Sequence, residues 1–268
     1  MRNEVLKVLH NESSTAGVPI SFWRHFADNE FTDAAKHPKV IATNLNGHRD
    51  YLDAVNILLF KWALIKHYEE ALTLADERFF DLYEQNPAIV KHVLDVIADD
   101  QIKVIKELRA QTDIDGIYYS TQSIQDPRAD NHKFVTEITE PVDLKVQNAI
   151  NQEFEVNILH ICGFDGAVNH LEWFTNYPLQ VINWATKADG YTLGEGKKLF
   201  GDRVVLGGFD NSRKGILYSG SKEEIQSYVR DLLFEAGTKG VILGADCTVP
   251  RDIPYEHLNW AIEAAHEF

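Results

Sequence analysis

Short apolar runs closed by glycine, asparagine or aspartate recur through the second half of the chain. DGIYYSTQ (115–122), VNILHICG (156–163), LQVINWAT (179–186), DRVVLGGFD (202–210) and KGVILGAD (239–246) share this plan. Runs of this kind predict strands buried on both faces, as in a parallel sheet. Between them the apolar positions recur at three and four, which predicts helices. PAIVKHVLDVIADDQIKVIKELRAQ (87–111) opens with proline in its first turn, and TEITEPVDLKVQNAINQ (136–152) is expected to be helical after Pro141. LGEGKKLFG (193–201) reads as a short helix ending at glycine. In SKEEIQSYVRDLLFEAG (221–237), Ser221 and Glu224 have capping-box spacing and Gly237 is a stop signal. PYEHLNWAIEAAHEF (254–268) begins at proline, and MRNEVLKVLHNESS at the start reads as an amphipathic helix.

Helix and strand alternate from about residue 87 onward, which predicts an α/β fold on a parallel sheet. With 268 residues, 44% of them hydrophobic, and no Gly-rich dinucleotide fingerprint, the expected architecture is a single-domain (β/α)8 TIM barrel. In such a barrel the site gathers at the C-terminal ends of the strands.

Composition narrows the function classes. No apolar run reaches the length of a membrane span, and the N-terminal segment lacks the apolar core of a signal peptide. Two cysteines without an export signal point to a cytoplasmic protein with reduced thiols, and the same argument disfavours a Cys162–Cys247 disulfide. A net charge of −15, with no basic stripe interleaved with aromatics, argues against nucleic-acid binding.

The two cysteines are where chemistry is expected. Alternate residues of a strand point to one side, so His160 and Cys162 face the same way at the end of one predicted strand. Cys247 follows VILGAD at the end of another. If the three converge they form a sound zinc donor set, thiolates favouring zinc over magnesium or calcium and three ligands leaving one position open. H-x-C without a second short-spaced pair also permits the plain alternative of buried thiols that act as small hydrophobes. A Cys162/His160 nucleophile pair is disfavoured, because i and i+2 side chains are poorly placed for mutual proton transfer. Asp246, beside Cys247, is a candidate to orient a ligand or to serve as a turn or cap residue. Tyr118, Tyr119 and Gln122 are candidates for the pocket mouth, as are Asn183 and Trp184 at the end of a further strand. His170 is close enough in sequence to be watched as a further ligand.

These segments, with GSKEEI and GADCTVPRDIPYEHLNWAIEAAHE, resemble the uroporphyrinogen decarboxylase superfamily over about residues 87–268. The resemblance implies a (β/α)8 barrel, here one domain over 1–268 with an N-terminal arm to about residue 56, and a homodimer. It offers two chemistries. One branch decarboxylates the acetate arms of uroporphyrinogen III without metal or cofactor. The other contains cobalamin-dependent methyltransferases, which carry a methyl group from a corrinoid to a zinc-activated thiol. The methyltransferase branch has H-x-C and a much later single cysteine as zinc ligands, and His160, Cys162 and Cys247 match in order. The decarboxylase branch has Gly-His-Gly in its last strand loop, where this chain reads Gly244, Ala245, Asp246. It also has an R-Q-A-G-R motif. In FWRHFADNE, Arg24 matches its first arginine, but Asp28 stands at the second and would repel a substrate carboxylate. Ser120 corresponds to a substrate-contacting serine of the decarboxylase. HRDYLDAVN runs straight into LLFKWALIKHYEEAL, where the family carries a longer stretch, so the resemblance implies a barrel shortened by a segment near residue 57.

The expectation is therefore a zinc-dependent methyltransferase acting on a small-molecule thiol, with a corrinoid carried by a partner protein. The alternatives are a uroporphyrinogen III decarboxylase, for which Arg24 and Ser120 would contact the tetrapyrrole, and a non-catalytic binding protein on the same barrel.

Overall fold

The computed structural model describes residues 2–12, 17–22, 83–121, 131–163 and 168–268. Arg24, Asp28, Gln122 and the segment near residue 57 lie outside them. The chain divides into two compact units: Met1–His25, Ile117–Ser123 and Val156–Phe268 in one, and Phe26–Gly116 and Ile124–Glu155 in the other.

In chain order the labelled elements are α1 (Arg2–Leu9), β1 (Ile20–Ser21), α2 (Pro87–Gln111), β2 (Tyr118–Thr121), α3 (Glu140–Glu153), β3 (Ile158–Ile161), β4 (Val181–Trp184), α4 (Leu193–Leu199), β5 (Val204–Phe209), α5 (Lys222–Ala236), β6 (Val241–Ala245) and α6 (Tyr255–Ala265). Among the described residues, the first unit holds a six-stranded sheet in the order β1-β6-β5-β4-β3-β2, with every neighbouring pair parallel. This is the α/β architecture that the apolar runs predict.

The register sorts the side chains into two faces. Leu159, Ile161, Ile182, Trp184, Val205, Phe209, Leu243 and Ala245 alternate with the residues of the opposite face and are all 0% exposed. On the opposite face Val181, Val204, Leu206 and Ile242 pack with Val8, and Val5, Leu9 and Ile158 lie against them. The amphipathic segment at the start of the chain thus forms α1, and its apolar side covers this part of the sheet.

The capping box read at Ser221 holds, and the structure adds a second at Thr192. Ser221 accepts from Glu224 N at the start of α5, and Thr192 accepts from Glu195 N at the start of α4. Gly237 closes α5 at φ 79°, a conformation that a side chain would strain.

In the second unit α2 packs against α3. Pro87 opens α2, and Thr112 closes it through its N–H and hydroxyl on Leu108 O at 2.9 and 2.6 Å. Lys145 of α3 reaches Asp95 at 2.5 Å and Asp99 at 2.7 Å. The helix expected only after Pro141 begins earlier, at Asn131, and passes through a π turn at Val135–Thr139 before α3. Pro141 sits in the first turn of α3, and the burial of Phe134 and Ile138 with Val90 outweighs the break that a proline suggests in sequence.

Candidate metal centre

Strand β3 delivers His160 and then Cys162 to one face, and Cys247 follows the end of β6. Two strands separate β3 from β6. In a flat sheet their backbones would lie about 14 Å apart, with side chains standing upright. Here Cys247 Sγ lies 3.6 Å from His160 Nε2, so the sheet curves around this face. The donor atoms of His160, Cys162 and Cys247 all lie within 4.8 Å of one another. His160 is buried, the cysteines are half-buried, and neither is in a disulfide.

The spacing suits a tetrahedral ion. Zinc–sulfur and zinc–nitrogen bonds of about 2.3 and 2.05 Å at a tetrahedral angle place the two donor atoms about 3.6 Å apart. Two thiols and an imidazole fit zinc, and with three protein donors one coordination position remains for a ligand.

Asn183 stands beside this cluster, in register with His160. Its Nδ2 donates to Leu206 O at 2.8 Å and to Ala245 O at 3.4 Å. Its Oδ1 accepts from the Tyr118 hydroxyl at 2.7 Å and from His160 Nδ1. Tyr118 is tilted against the His160 ring at 5.3 Å.

The Cys162 backbone is fixed as it leaves the strand. Its N–H continues the ladder to Thr121 O at 2.7 Å, and its carbonyl accepts from Asn169 Nδ2 at 3.0 Å. Asn169 donates its own N–H to Asp189 Oδ1 at 2.8 Å, and Ala185 N donates to Asp189 Oδ2 at 3.3 Å. A Cβ on Gly163 would come within 2.9–3.0 Å of Ala185, Asn169 and Asp189, so the chain passes there only as glycine.

The Asp246 carboxylate, beside Cys247, is engaged by the ends of neighbouring strands. Its Oδ1 accepts from Gly208 N at 3.1 Å and its Oδ2 from the Thr186 hydroxyl at 2.8 Å, bracing the ends of β5 and β4 beside Cys247. Gly207 and Gly208 run at φ 147° and 107°, which lets the β5 backbone approach that carboxylate.

Burial pushes the Asp246 carboxyl up to about 7, partly offset by the hydrogen bonds from Thr186 and the Gly208 and Lys187 backbone. The Cys247 thiol is held well below the usual thiol range, first by its hydrogen bond with Cys162 and then by His160 and the Thr248 backbone, against the effect of burial. Burial raises the Tyr118 phenol well above its ordinary value, as does negative charge at Cys247 and Cys162, so Tyr118 stays a donor.

Other sequence candidates fall differently. Ser120 is exposed and in register with His160. Tyr119 alternates with Tyr118 and belongs to the other face. Trp184 also belongs there. It is wholly buried, donates Nε1–H to Tyr191 O at 3.1 Å and lies where a Cβ on Gly196 would sit, so it packs the helix layer rather than lining the cluster. His170 is exposed, stacked on Trp173 and 3.3 Å from Glu172, outside the donor cluster. The sequence reading passed over Asn169, Thr186 and Asp189. Asp189 looks like a turn residue before Gly190, and nothing local marks Asn169 as its partner.

Comparison with known proteins agrees with the fold. A methyltransferase from Methanosarcina mazei superposes with a TM-score of 0.58 at 17% sequence identity, covering 72% of this chain and 54% of that one. The chain thus spans about half the length of that structure. No curated protein sequence matches significantly. The uroporphyrinogen decarboxylase (URO-D) family model matches residues 75–268, which take in five of the six strands and both cysteines, and the chain belongs to that family.

Proposed function

We propose that the protein is a zinc-dependent methyltransferase, taking a methyl group from a corrinoid or similar donor on a partner protein and passing it to a small-molecule thiol. The observation that carries this reading is the convergence of the His160, Cys162 and Cys247 donor atoms within 4.8 Å of one another on one curved face, with His160 and Cys247 at 3.6 Å. The fold likeness to a methyltransferase is consistent with it, and we extend the six observed strands to a closed (β/α)8 barrel.

Zinc bound by these three residues would act as a Lewis acid that keeps a coordinated thiol deprotonated at neutral pH. The remaining work falls to the chain. His160 offers Nε2, because Nδ1 faces Asn183. Cys247, with its lowered thiol value, enters as a thiolate at little proton cost. The Tyr118 hydroxyl is committed to Asn183 and stays protonated, so it gives the cluster an aromatic wall that does not ionise. Asp246 and Asp189 hold the strand ends that carry Cys247 and Cys162. Ser120, exposed beside His160, is a candidate substrate contact.

The test starts with metal content. Protein purified without added metal and without a His-tag is expected to carry about one zinc per chain, bound through the three donors. Methyl transfer from methylcobalamin to a panel of small thiols, followed by loss of the alkylcobalamin absorbance, is the activity assay. Failure to bind zinc even when it is offered would end this reading and send the protein to a metal-free uroporphyrinogen III assay. Zinc binding without thiol methylation from any donor would favour the binding-protein alternative.

A further inference from the structure

Asn183 interrupts an otherwise apolar strand, is 0% exposed, and has every hydrogen-bonding position of its carboxamide in use. The two amide hydrogens go to the carbonyls of Leu206 and Ala245. A flipped amide would set its oxygen against both carbonyls, so the orientation follows from the backbone of the neighbouring strands. Only acceptor lone pairs then remain to face β2 and β3. They meet the Tyr118 hydroxyl and His160 Nδ1. A carbonyl oxygen can only accept, so Nδ1 carries a proton, and Nε2 is the nitrogen left facing Cys247, 3.6 Å away.

We infer that Asn183 is the positioning residue of the metal centre: strands β5 and β6 orient its amide, and its oxygen holds His160 as the Nδ1–H tautomer with Nε2 ready to bind metal. This rests on the zinc reading for its purpose but not for its geometry. The proton arrangement exists before any metal arrives. The chain thereby carries its register into the chemistry: the carbonyls of Leu206 and Ala245 select which nitrogen of a histidine on another strand can ligate. Tyr118 occupies the second lone pair of the same oxygen and keeps water from competing for it.

The experiment uses full-length protein labelled with 15N-histidine, with His160→Gln to assign the His160 resonances. The tautomer is read from the ring nitrogens in metal-free protein, and zinc affinity from competition with a chromophoric chelator. Wild type should show Nδ1–H. Asn183→Leu should lose that preference and weaken zinc about 10- to 100-fold, the usual scale for residues that orient a ligand. Asn183→Asp keeps an acceptor for Nδ1–H but cannot donate to the two carbonyls. It should restore the tautomer and most of the affinity despite its broken ties to β5 and β6. Should Asn183→Leu be poorly folded, wild type and Asn183→Asp still decide the matter. An Nε2–H tautomer in wild type overturns the inference. So does an unchanged tautomer in folded Asn183→Leu, or a zinc loss in Asn183→Asp as large as in Asn183→Leu. If wild type shows Nδ1–H but binds no zinc, the functional reading fails and the positioning inference loses only its purpose.

Discussion

The two faces of the sheet use the same strands in opposite ways. The face carrying Ile161, Trp184, Phe209 and Ala245 is apolar and wholly buried along β3 to β6, and only β2 brings partly buried Tyr119 and Thr121 to it. The other face is apolar only where α1 packs on Val181, Val204, Leu206 and Ile242, and it turns polar at Asn183, His160 and the cysteines. Period-two alternation lets one short strand do both: β3 places Leu159 and Ile161 in the core and His160 on the site. Stability and chemistry are therefore divided between faces rather than between segments, and changes to each face should separate cleanly.

The largest expected effect is on the polar face. Cys162→Ala/Cys247→Ala should remove bound zinc altogether while leaving the far-ultraviolet spectrum intact, as checked by elemental analysis and circular dichroism. Trp184→Ala on the other face should cost about 3–5 kcal/mol in urea unfolding, because it empties a filled core position. Zinc per folded chain should not change. If Trp184→Ala releases zinc from folded protein, or the cysteine pair costs as much stability as the tryptophan, the division fails.

Asp189 lies between the two cases, since it braces the Cys162 loop yet is buried. Burial raises its carboxyl, against hydrogen bonds from Asn169 and Ala185. A raised carboxyl in the folded state means that folding favours the protonated form. Its contribution is fully present below the unfolded value of about 3.9 and is lost as pH rises through the folded value. Urea midpoints of wild type, measured upward from pH 4, should include this decline. Asp189→Asn should flatten it. The smallest effect is expected far from both faces: Ser221→Ala removes the α5 cap and should cost about 1 kcal/mol with no change in zinc binding.

How much of this was legible in the chain follows from the range of each interaction. The five short apolar runs, the capping box at Ser221 and the Gly237 stop are local signals, and the structure has them where the pattern puts them. His160 and Cys162 could be placed on one side from alternation alone. Their meeting with Cys247 depends on sheet curvature, which no local pattern encodes. Trp184 was misplaced because it follows Asn183 directly on β4, and alternation puts consecutive side chains on opposite faces. The Asn169–Asp189 pair was passed over because a hydrogen bond across a loop leaves no periodic trace. The short β1 was missed too, since two residues are too few to show alternation.

The separation of the ligands along the chain has a consequence in time. Cys247 follows His160 by 87 positions. At ribosomal speeds of about 5–20 residues per second, the first two ligands leave the ribosome about 4–17 s before the third. During synthesis the protein therefore passes through a stage with an imidazole and a thiol in hand and no complete cage. Were the three residues to hold zinc as proposed, loading would wait until β6 has joined the sheet.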